Sequence, residues 1–233
     1  MSAGEFHDYA QGGQTYEGYI SRPKGASKGV VVVAHAWGGQ GDFERGKADW
    51  LAGLGYTGFA LDVYGKGKRG ASVEECQALM TPLVENPDEL RSRLAHGLEA
   101  AKKASGQSKA AGIGFCFGGL CMFMMARANM AIEGVASFHG LFGKPSDNPA
   151  PIKPKILALH GWDDPMAPPA DVLAFAKEMT AAKADWQLHA YGGTLHAFTN
   201  PEANDPSFGT QFKAEANRRS FAACEDFLKE VLG

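Results

Sequence analysis

The segment Ala110–Gly119, AAGIGFCFGG, decides the fold. Its first six residues are apolar and predict a buried strand, and a helix-forming run follows from Gly118. The pattern G-x-C-x-G-G between strand and helix is typical of a sharp turn that presents a nucleophile, here Cys116. Glycine is needed at positions 114 and 118 because Cβ atoms there would collide with neighbouring backbone in so tight a turn. The N-terminus of the following helix favours the thiolate form of Cys116.

Outward from this turn, predicted strands alternate with predicted helices, an order that implies parallel pairing and right-handed crossovers. Gly29–Ala34, GVVVVA, is typical of a strand buried on both faces of a parallel sheet. Phe6–Tyr9 and Thr15–Ile20 flank Gly12-Gly13 and predict an edge hairpin. The remaining predicted elements are helices over Phe43–Leu54, Glu74–Val84, Asp88–Lys103, Gly118–Ala128, Pro168–Ala182 and Gln211–Leu232, and strands over Thr57–Val63, Ala110–Phe115, Ile132–Phe138, Lys155–His160 and Trp186–Ala190. No linker divides the chain, so residues 1–233 are expected to form one domain.

Composition excludes several classes of function. A formal net charge of −3 gives no reason to expect nucleic acid or an anionic membrane as a partner. The N-terminus has neither a basic nor an apolar region typical of a signal peptide, and the longest aliphatic run, Val30–Ala34, is far shorter than the ~20 residues of a membrane helix. The 4 cysteines form no C-x-x-C pair. They indicate free thiols in a reducing cytoplasm and give no support for a zinc site.

A thiol nucleophile needs a base, and the base needs an acid to orient it. Ligands of open parallel sheets bind beyond the carboxyl ends of the strands, so residues just after each strand are the candidates. His196, in GGTLHAF, follows the last predicted strand and is the predicted base. The loop HGWDDPMAP before that strand offers Asp163 and Asp164. Asp164 is the predicted acid, and Asp163 is then a turn or cap residue.

An oxyanion formed at the reacting carbonyl needs preorganised N–H donors. The turn itself offers the backbone N–H of Phe117, the residue after the nucleophile. The second predicted donor is the backbone N–H of Trp37, in the glycine-rich loop HAWGG after the first long parallel strand. Three further histidines stand at strand ends, and we interpret His35, His139 and His160 as structural.

With these residues in place, the chain resembles the dienelactone hydrolase family. The likeness runs from VVVVAHAWGG through ALDVYG, GFCFGG and HGWDDPMAP to GGTLHAF. The resemblance implies an α/β-hydrolase fold, a doubly wound and mostly parallel sheet with an N-terminal antiparallel hairpin. It also implies a Cys-His-Asp triad, which lands on Cys116, His196 and Asp164, and it implies no metal or cofactor.

Two departures from the family pattern bear on the substrate. The glutamate that governs activation of the family's cysteine corresponds to Ala36, so Cys116 is expected to pair directly with His196, partly as thiolate and imidazolium. An arginine that holds the substrate carboxylate in the family corresponds to Asn200. Both changes favour an uncharged substrate in an apolar pocket. The predicted substrate-binding side chains are those of Tyr64, Trp162 and Phe198.

The leading functional hypothesis is hydrolysis of neutral carboxylic esters or lactones through a covalent thioester. Phosphotriesters cleaved by the same triad and the family's carboxylate-bearing dienelactones are the alternatives. A thiol redox protein using Cys116 and Cys121 is disfavoured, because five-residue spacing on one helix points the two side chains apart. A binding module without activity is disfavoured because a complete triad is present. The expected partner is a small molecule, and the expected state is a monomer or homodimer.

Overall fold

The structure is a computed structural model that describes residues 4–233. These residues divide into two compact units. Unit 1 comprises the chain up to Ile113 together with Leu232, and unit 2 comprises Gly114–Val231 with Gly233. The single domain over residues 1–233, the monomeric or homodimeric state and the cytoplasmic location stay predictions.

Unit 1 carries the N-terminal hairpin and the first parallel strands. Its elements are β1 (Glu5–Gln11), β2 (Gln14–Ser21), β3 (Val30–Ala34), α1 (Asp42–Gly53), β4 (Thr57–Ala60), α2 (Val73–Glu85), α3 (Pro87–Ser105) and the start of β5 (Ala110–Phe115). The strand order is β1-β2-β4-β3-β5. Strand β2 is antiparallel to both β1 and β4, whereas β3 and β4 are parallel. The predicted N-terminal antiparallel hairpin is therefore confirmed, and the fully buried β3 agrees with its uninterrupted aliphatic sequence.

Helix ends in unit 1 follow ordinary capping chemistry. The Ser72 hydroxyl accepts the Glu75 N–H at 3.2 Å and begins α2. Pro87 opens α3 behind the capping residue Asn86, and Gly106, with φ of 69°, ends it in the left-handed region. These signals stand in the sequence itself, which is why the helix boundaries were predictable to within two residues.

Unit 2 contains the turn at Cys116 and three parallel strands. Beyond the end of β5 its elements are α4 (Phe117–Arg127), β6 (Gly134–Phe138), β7 (Lys155–Gly161), α5 (Pro169–Ala181), β8 (Trp186–Tyr191), β9 (Asn204–Asp205), β10 (Thr210–Gln211) and α6 (Ala214–Leu232). The strand order is β5-β6-β7-β8, and β7 is parallel to both β6 and β8. Strands β9 and β10 pair with each other in a separate antiparallel hairpin.

The predicted class, an α/β-hydrolase fold with mostly parallel strands, is confirmed. Two predicted elements are corrected: the strand that begins at Thr57 ends at Ala60, not at Val63, and the C-terminal helix begins at Ala214, not at Gln211. Gln211 belongs to β10 and pairs with Asn204, and the Phe212 N–H donates to the Ala203 carbonyl, so these backbone groups are committed to the hairpin. Within residues 4–233, none of the helices combines the length and apolar character needed to cross a membrane.

Aromatic packing in unit 2 holds the elements beside Cys116. Phe115, at the end of β5, stacks on Phe138 of β6 with ring centroids 4.8 Å apart. Phe123 of α4 packs against Phe175 of α5 at 4.7 Å. Buried aromatic pairs of this kind contribute about 0.5–1.5 kcal/mol beyond their burial. The strand before Cys116 and the helix after it are thus both anchored in the core.

Glycines make the close approach of strand and helix possible. A Cβ on Gly114 would overlap the Gly118 carbonyl oxygen and lie 3.0 Å from the Gly119 N. A Cβ on Gly119 would overlap the Ser137 hydroxyl and lie 2.5 Å from the Gly140 Cα. The glycine requirement predicted for the turn at position 114 therefore has a specific steric cause.

We expect Gly114→Ala to lower the free energy of unfolding by about 1–3 kcal/mol, because the added methyl group must displace the backbone of α4. Gly46→Ala is the matched control, since Gly46 lies inside α1 and no atom of another element lies within 4 Å of its added Cβ. That change should be neutral or stabilise by about 0.5–1 kcal/mol. Urea denaturation measures both. Equal stability of Gly114→Ala and wild type would contradict the steric account.

Candidate active site

Cys116 lies at the turn between β5 and α4 in a strained backbone conformation. Its φ of 56° and ψ of −114° are unusual for a residue with a Cβ. The Cys116 N–H donates to the Phe138 carbonyl at 3.1 Å, and the Cys116 carbonyl accepts the Gly119 N–H at 2.9 Å. These bonds hold the residue in place while its side chain stays partly exposed. Strain of this kind clusters at functional sites.

Cys116 differs in exposure from the other three thiols, all of which are free. Cys76, Cys121 and Cys224 are buried. Burial raises the pKa of Cys121 and of Cys224, which keeps both as unreactive thiols. A buried, protonated Cys121 also weighs against the redox hypothesis.

His196 and Asp164 form a short, buried hydrogen bond. His196 Nδ1 lies 2.6 Å from Asp164 Oδ2, and the two residues are 2% and 1% exposed. The other carboxylate oxygen, Asp164 Oδ1, accepts the Met166 N–H at 2.8 Å. Asp163 is exposed, and its N–H donates to the Thr194 carbonyl at 3.0 Å. Geometry thus distinguishes the two aspartates that the sequence left adjacent: Asp164 meets the histidine, and Asp163 belongs to the turn.

The far side of the His196 imidazole faces Cys116. Burial lowers the pKa of His196, but the Cys116 charge and the hydrogen bond to Asp164 outweigh it and raise the pKa to about 10. Among residues 4–233, His196 Nε2 has no partner of full hydrogen-bond geometry. The thiol is therefore near enough to raise the pKa of the ring. This arrangement can hold a thiolate–imidazolium pair.

His139 is a second buried histidine at this site. Its φ is 40°, its Nε2 lies 2.8 Å from Thr199 Oγ1, and its ring meets His196 edge-on at 5.1 Å. Burial, followed by the charge of His196, holds the pKa of His139 well below its ordinary value, so the ring is neutral. We predicted a structural role, and the structure adds direct contact with the proposed base. The sequence signal was only its position after a strand.

His160 is also buried and neutral. Burial lowers its pKa, and its ring packs against Phe142 at 5.3 Å. Within the described chain, neither ring nitrogen of His160 has a hydrogen-bond partner. Among residues 4–233, no group of three or more His, Cys, Asp or Glu side chains could hold a metal ion.

The remaining predicted site residues of unit 2 differ in exposure. Phe117 is the first residue of α4, so its backbone N–H belongs to the helix N-terminus, although its ring is buried. Trp162 is 40% exposed, and its backbone N–H donates to the Tyr191 carbonyl at 2.9 Å. Phe198 is fully buried, with its ring 5.2 Å from that of His139. Trp162 is thus accessible to a ligand, whereas the buried Phe198 packs against the ring of His139.

Unit 1 contains the loop that carries Trp37. The buried Tyr64 donates its hydroxyl to the Trp37 carbonyl at 2.9 Å, and buried Glu44 accepts the Ala36 N–H at 3.3 Å. His35 donates from Nδ1 to the Ala36 carbonyl at 2.7 Å and accepts a backbone N–H at Nε2, which fixes its tautomer. Side chains therefore order this loop from within unit 1. The Trp37 donor role and substrate contact by Tyr64 stay predictions.

Known proteins similar to this chain indicate its family. The model of the dienelactone hydrolase family matches residues 16–232. A putative carboxymethylenebutenolidase of Aquifex aeolicus is 29% identical over 208 residues, covering 87% of this chain and 90% of the relative.

Two solved structures are similar over almost the whole chain. The structure called m3DLH has 27% sequence identity and a TM-score of 0.93, covering 99% of this chain and 98% of its own. P91, described as a dienelactone hydrolase-like promiscuous phosphotriesterase from metagenomic libraries, has 26% identity and a TM-score of 0.89 over the same shares.

We expect ¹⁵N NMR titration to show His196 keeping its second proton well above its ordinary pKa of 6.5, up to about pH 10. Cys116→Ala removes the strongest influence that raises this pKa, and Asp164→Asn weakens the next. Both changes should lower the pKa of His196, Cys116→Ala by more. Cys224→Ala, which removes a buried thiol from α6, is the control and should leave the titration unchanged. A His196 pKa near 6.5 in the wild type would contradict the ion pair.

Proposed function

This chain belongs to the dienelactone hydrolase family and is a hydrolase, and from that premise we propose that it cleaves neutral carboxylic esters or lactones. Cys116 is the proposed nucleophile, His196 the base and Asp164 the orienting acid. The observation that carries the proposal is the 2.6 Å hydrogen bond between His196 and Asp164, with the strained Cys116 turn on the other side of the imidazole.

The first half of the reaction forms a thioester. The Cys116 thiolate attacks the carbonyl carbon, and the carbonyl electron pair moves to oxygen. The Phe117 N–H, at the start of α4, is the proposed donor to that oxyanion. Collapse of the tetrahedral intermediate breaks the ester C–O bond, and the His196 imidazolium gives its Nε2 proton to the leaving alkoxide. The acyl group is then bound to sulfur.

The second half releases the acid. Neutral His196 accepts a proton at Nε2 from water, and the resulting hydroxide attacks the thioester carbonyl. Breaking of the C–S bond returns the electron pair to sulfur and restores the thiolate–imidazolium pair. Asp164 keeps its hydrogen bond to Nδ1 throughout, so the other nitrogen always faces the reacting atoms.

An uncharged substrate fits the side chains at the positions that depart from the family pattern. Ala36 supplies no carboxylate, and the Asn200 side chain is used locally, accepting the Glu202 N–H at 3.1 Å. The exposed indole of Trp162, in the same loop as Asp164, offers apolar surface to a ligand. Carboxylate-bearing dienelactones are therefore the less favoured substrates.

We expect Cys116→Ala to lower kcat for a short aryl ester at least about a thousandfold, because no other group can form the thioester. Release of the aryl alcohol measures turnover, and rapid-quench mass spectrometry should find the acyl group on Cys116 in the wild type. Cys224→Ala controls for the loss of a thiol and should keep kcat within about twofold. Undiminished turnover by Cys116→Ala would refute the proposed nucleophile.

Phosphotriesters are the second candidate substrates, favoured by the similarity to P91. The same thiolate would attack phosphorus, expel an aryl oxide and leave a phosphorylated sulfur, which water then hydrolyses. Steady turnover of an aryl dialkyl phosphate, abolished by Cys116→Ala, is the expected result. Release of one equivalent of phenol followed by permanent inactivation would show that water does not resolve the phosphorylated enzyme.

A further inference from the structure

The β9–β10 hairpin, residues 204–211, holds the backbone of His196. The His196 N–H donates to the Gly209 carbonyl at 2.9 Å, and the His196 carbonyl accepts the Gln211 N–H at 3.1 Å. His196 also forms a parallel bridge with Thr210. Both backbone polar groups of the proposed base are thus bonded to this hairpin, and the next residue, Ala197, is in the left-handed region with φ of 55°.

The same hairpin packs against the loop of the proposed acid. Gly209 has φ of 90°, and a Cβ there would overlap Pro165 Cγ and lie 2.9 Å from Pro165 Cδ. Pro165 directly follows Asp164. Gly209 therefore accepts a hydrogen bond from the base at its carbonyl and lies against Pro165, the neighbour of the acid, so it adjoins both loops.

The exposed side chain of Asp205 stabilises the turn that contains Gly209. Asp205 Oδ1 accepts the Ser207 hydroxyl at 2.5 Å and the Phe208 N–H at 3.0 Å. These two hydrogen bonds lower the pKa of Asp205, so it is ionised at neutral pH. The Gly209 N–H donates to the Pro206 carbonyl at 3.1 Å and closes the turn. Among the described residues, the Asp205 carboxylate forms its hydrogen bonds within the turn and none with the side chains of Cys116, His196 or Asp164.

We propose that the β9–β10 hairpin positions His196 relative to Asp164, with Gly209 and Asp205 as positioning residues. Small displacements of a catalytic group are costly to rate, because reaction needs the atoms within a narrow range of distance and angle. A merely stabilising hairpin would affect folding alone. A positioning hairpin affects the His196–Asp164 hydrogen bond and kcat while the protein remains folded. The kinetic part rests on the proposed function, but the geometric part does not.

Asp205→Ala tests the proposal because it loosens the turn without touching the triad. We expect kcat for an aryl ester to fall about tenfold, with KM within about twofold of the wild type. The downfield Nδ1–H proton resonance of His196 should move upfield or broaden. Asp205→Asn keeps Oδ1 as an acceptor, and it should restore most of kcat and the resonance.

Ser72→Ala is the matched control. It removes one exposed side-chain cap, the 3.2 Å bond to the Glu75 N–H, from a helix of unit 1. Its melting temperature should fall about as much as that of Asp205→Ala, but kcat and the His196 resonance should remain those of the wild type. If Asp205→Ala behaves in the same way as Ser72→Ala, the positioning role is overturned.

Gly209→Ala adds a steric test. Its methyl group must displace Pro165 or the hairpin, so a larger loss of kcat than for Asp205→Ala is expected. A folded Gly209→Ala protein with wild-type kcat would overturn the proposal. If this variant fails to fold, the comparison of Asp205→Ala with Asp205→Asn tests the proposal instead.

The NMR measurement separates this proposal from the hydrolase assignment. If the wild type cleaves no ester yet its His196 resonance responds to Asp205→Ala, only the proposed function fails.

Discussion

The hydrogen bond between His196 and Asp164 is the interaction on which the site depends. Its 2.6 Å length and near-complete burial place a carboxylate and an imidazole where neither is stable alone. An unpaired buried charge is strongly destabilising, so each partner requires the other. The pairing also fixes which nitrogen of His196 faces Cys116. With Nδ1 bound to Asp164, Nε2 is the proposed position of proton exchange.

Backbone strain concentrates around the same interaction. Five non-glycine residues among 4–233 have positive φ, and three of them, Cys116, His139 and Ala197, belong to the site or adjoin it. Each such conformation costs about 1–3 kcal/mol and persists only where surrounding contacts enforce it. At Cys116 these contacts are the aromatic pairs on either side of the turn and the carbonyl of Phe138. At Ala197 they are the hairpin hydrogen bonds to the preceding residue.

Local signals explain what the sequence could predict. The sequence predicts the turn at Cys116 because the spaced glycines, a strand and a helix start all fall within ten residues. Chain order predicts that the acid lies in the loop of Asp163 and Asp164, but the choice of Asp164 over Asp163 depends on which carboxylate contacts His196. The hairpin of residues 204–211 was missed because two-residue strands carry no periodicity, and its role depends on a contact with Pro165 made through folding. The sequence did not predict the contact of His139 with His196, because that contact forms only in the tertiary structure.

The charges of the proposed site bear on the proposed class of substrate. Unit 2 contains three buried histidines that lie near one another. Burial keeps His139 and His160 neutral, whereas His196 is held protonated. In the proposed mechanism, the Cys116 thiolate and the Asp164 carboxylate share the single positive charge of the His196 imidazolium, so negative charge is in excess there. A substrate that carries its own carboxylate would add to this excess, and Asn200, where the family has an arginine, offers no compensating cation. A neutral carbonyl or phosphoryl group avoids that repulsion and acquires negative charge only in the transition state. The proposed Phe117 donor at the N-terminus of α4 can stabilise that charge, so the electrostatics of the site favour the transition state over an anionic ground state.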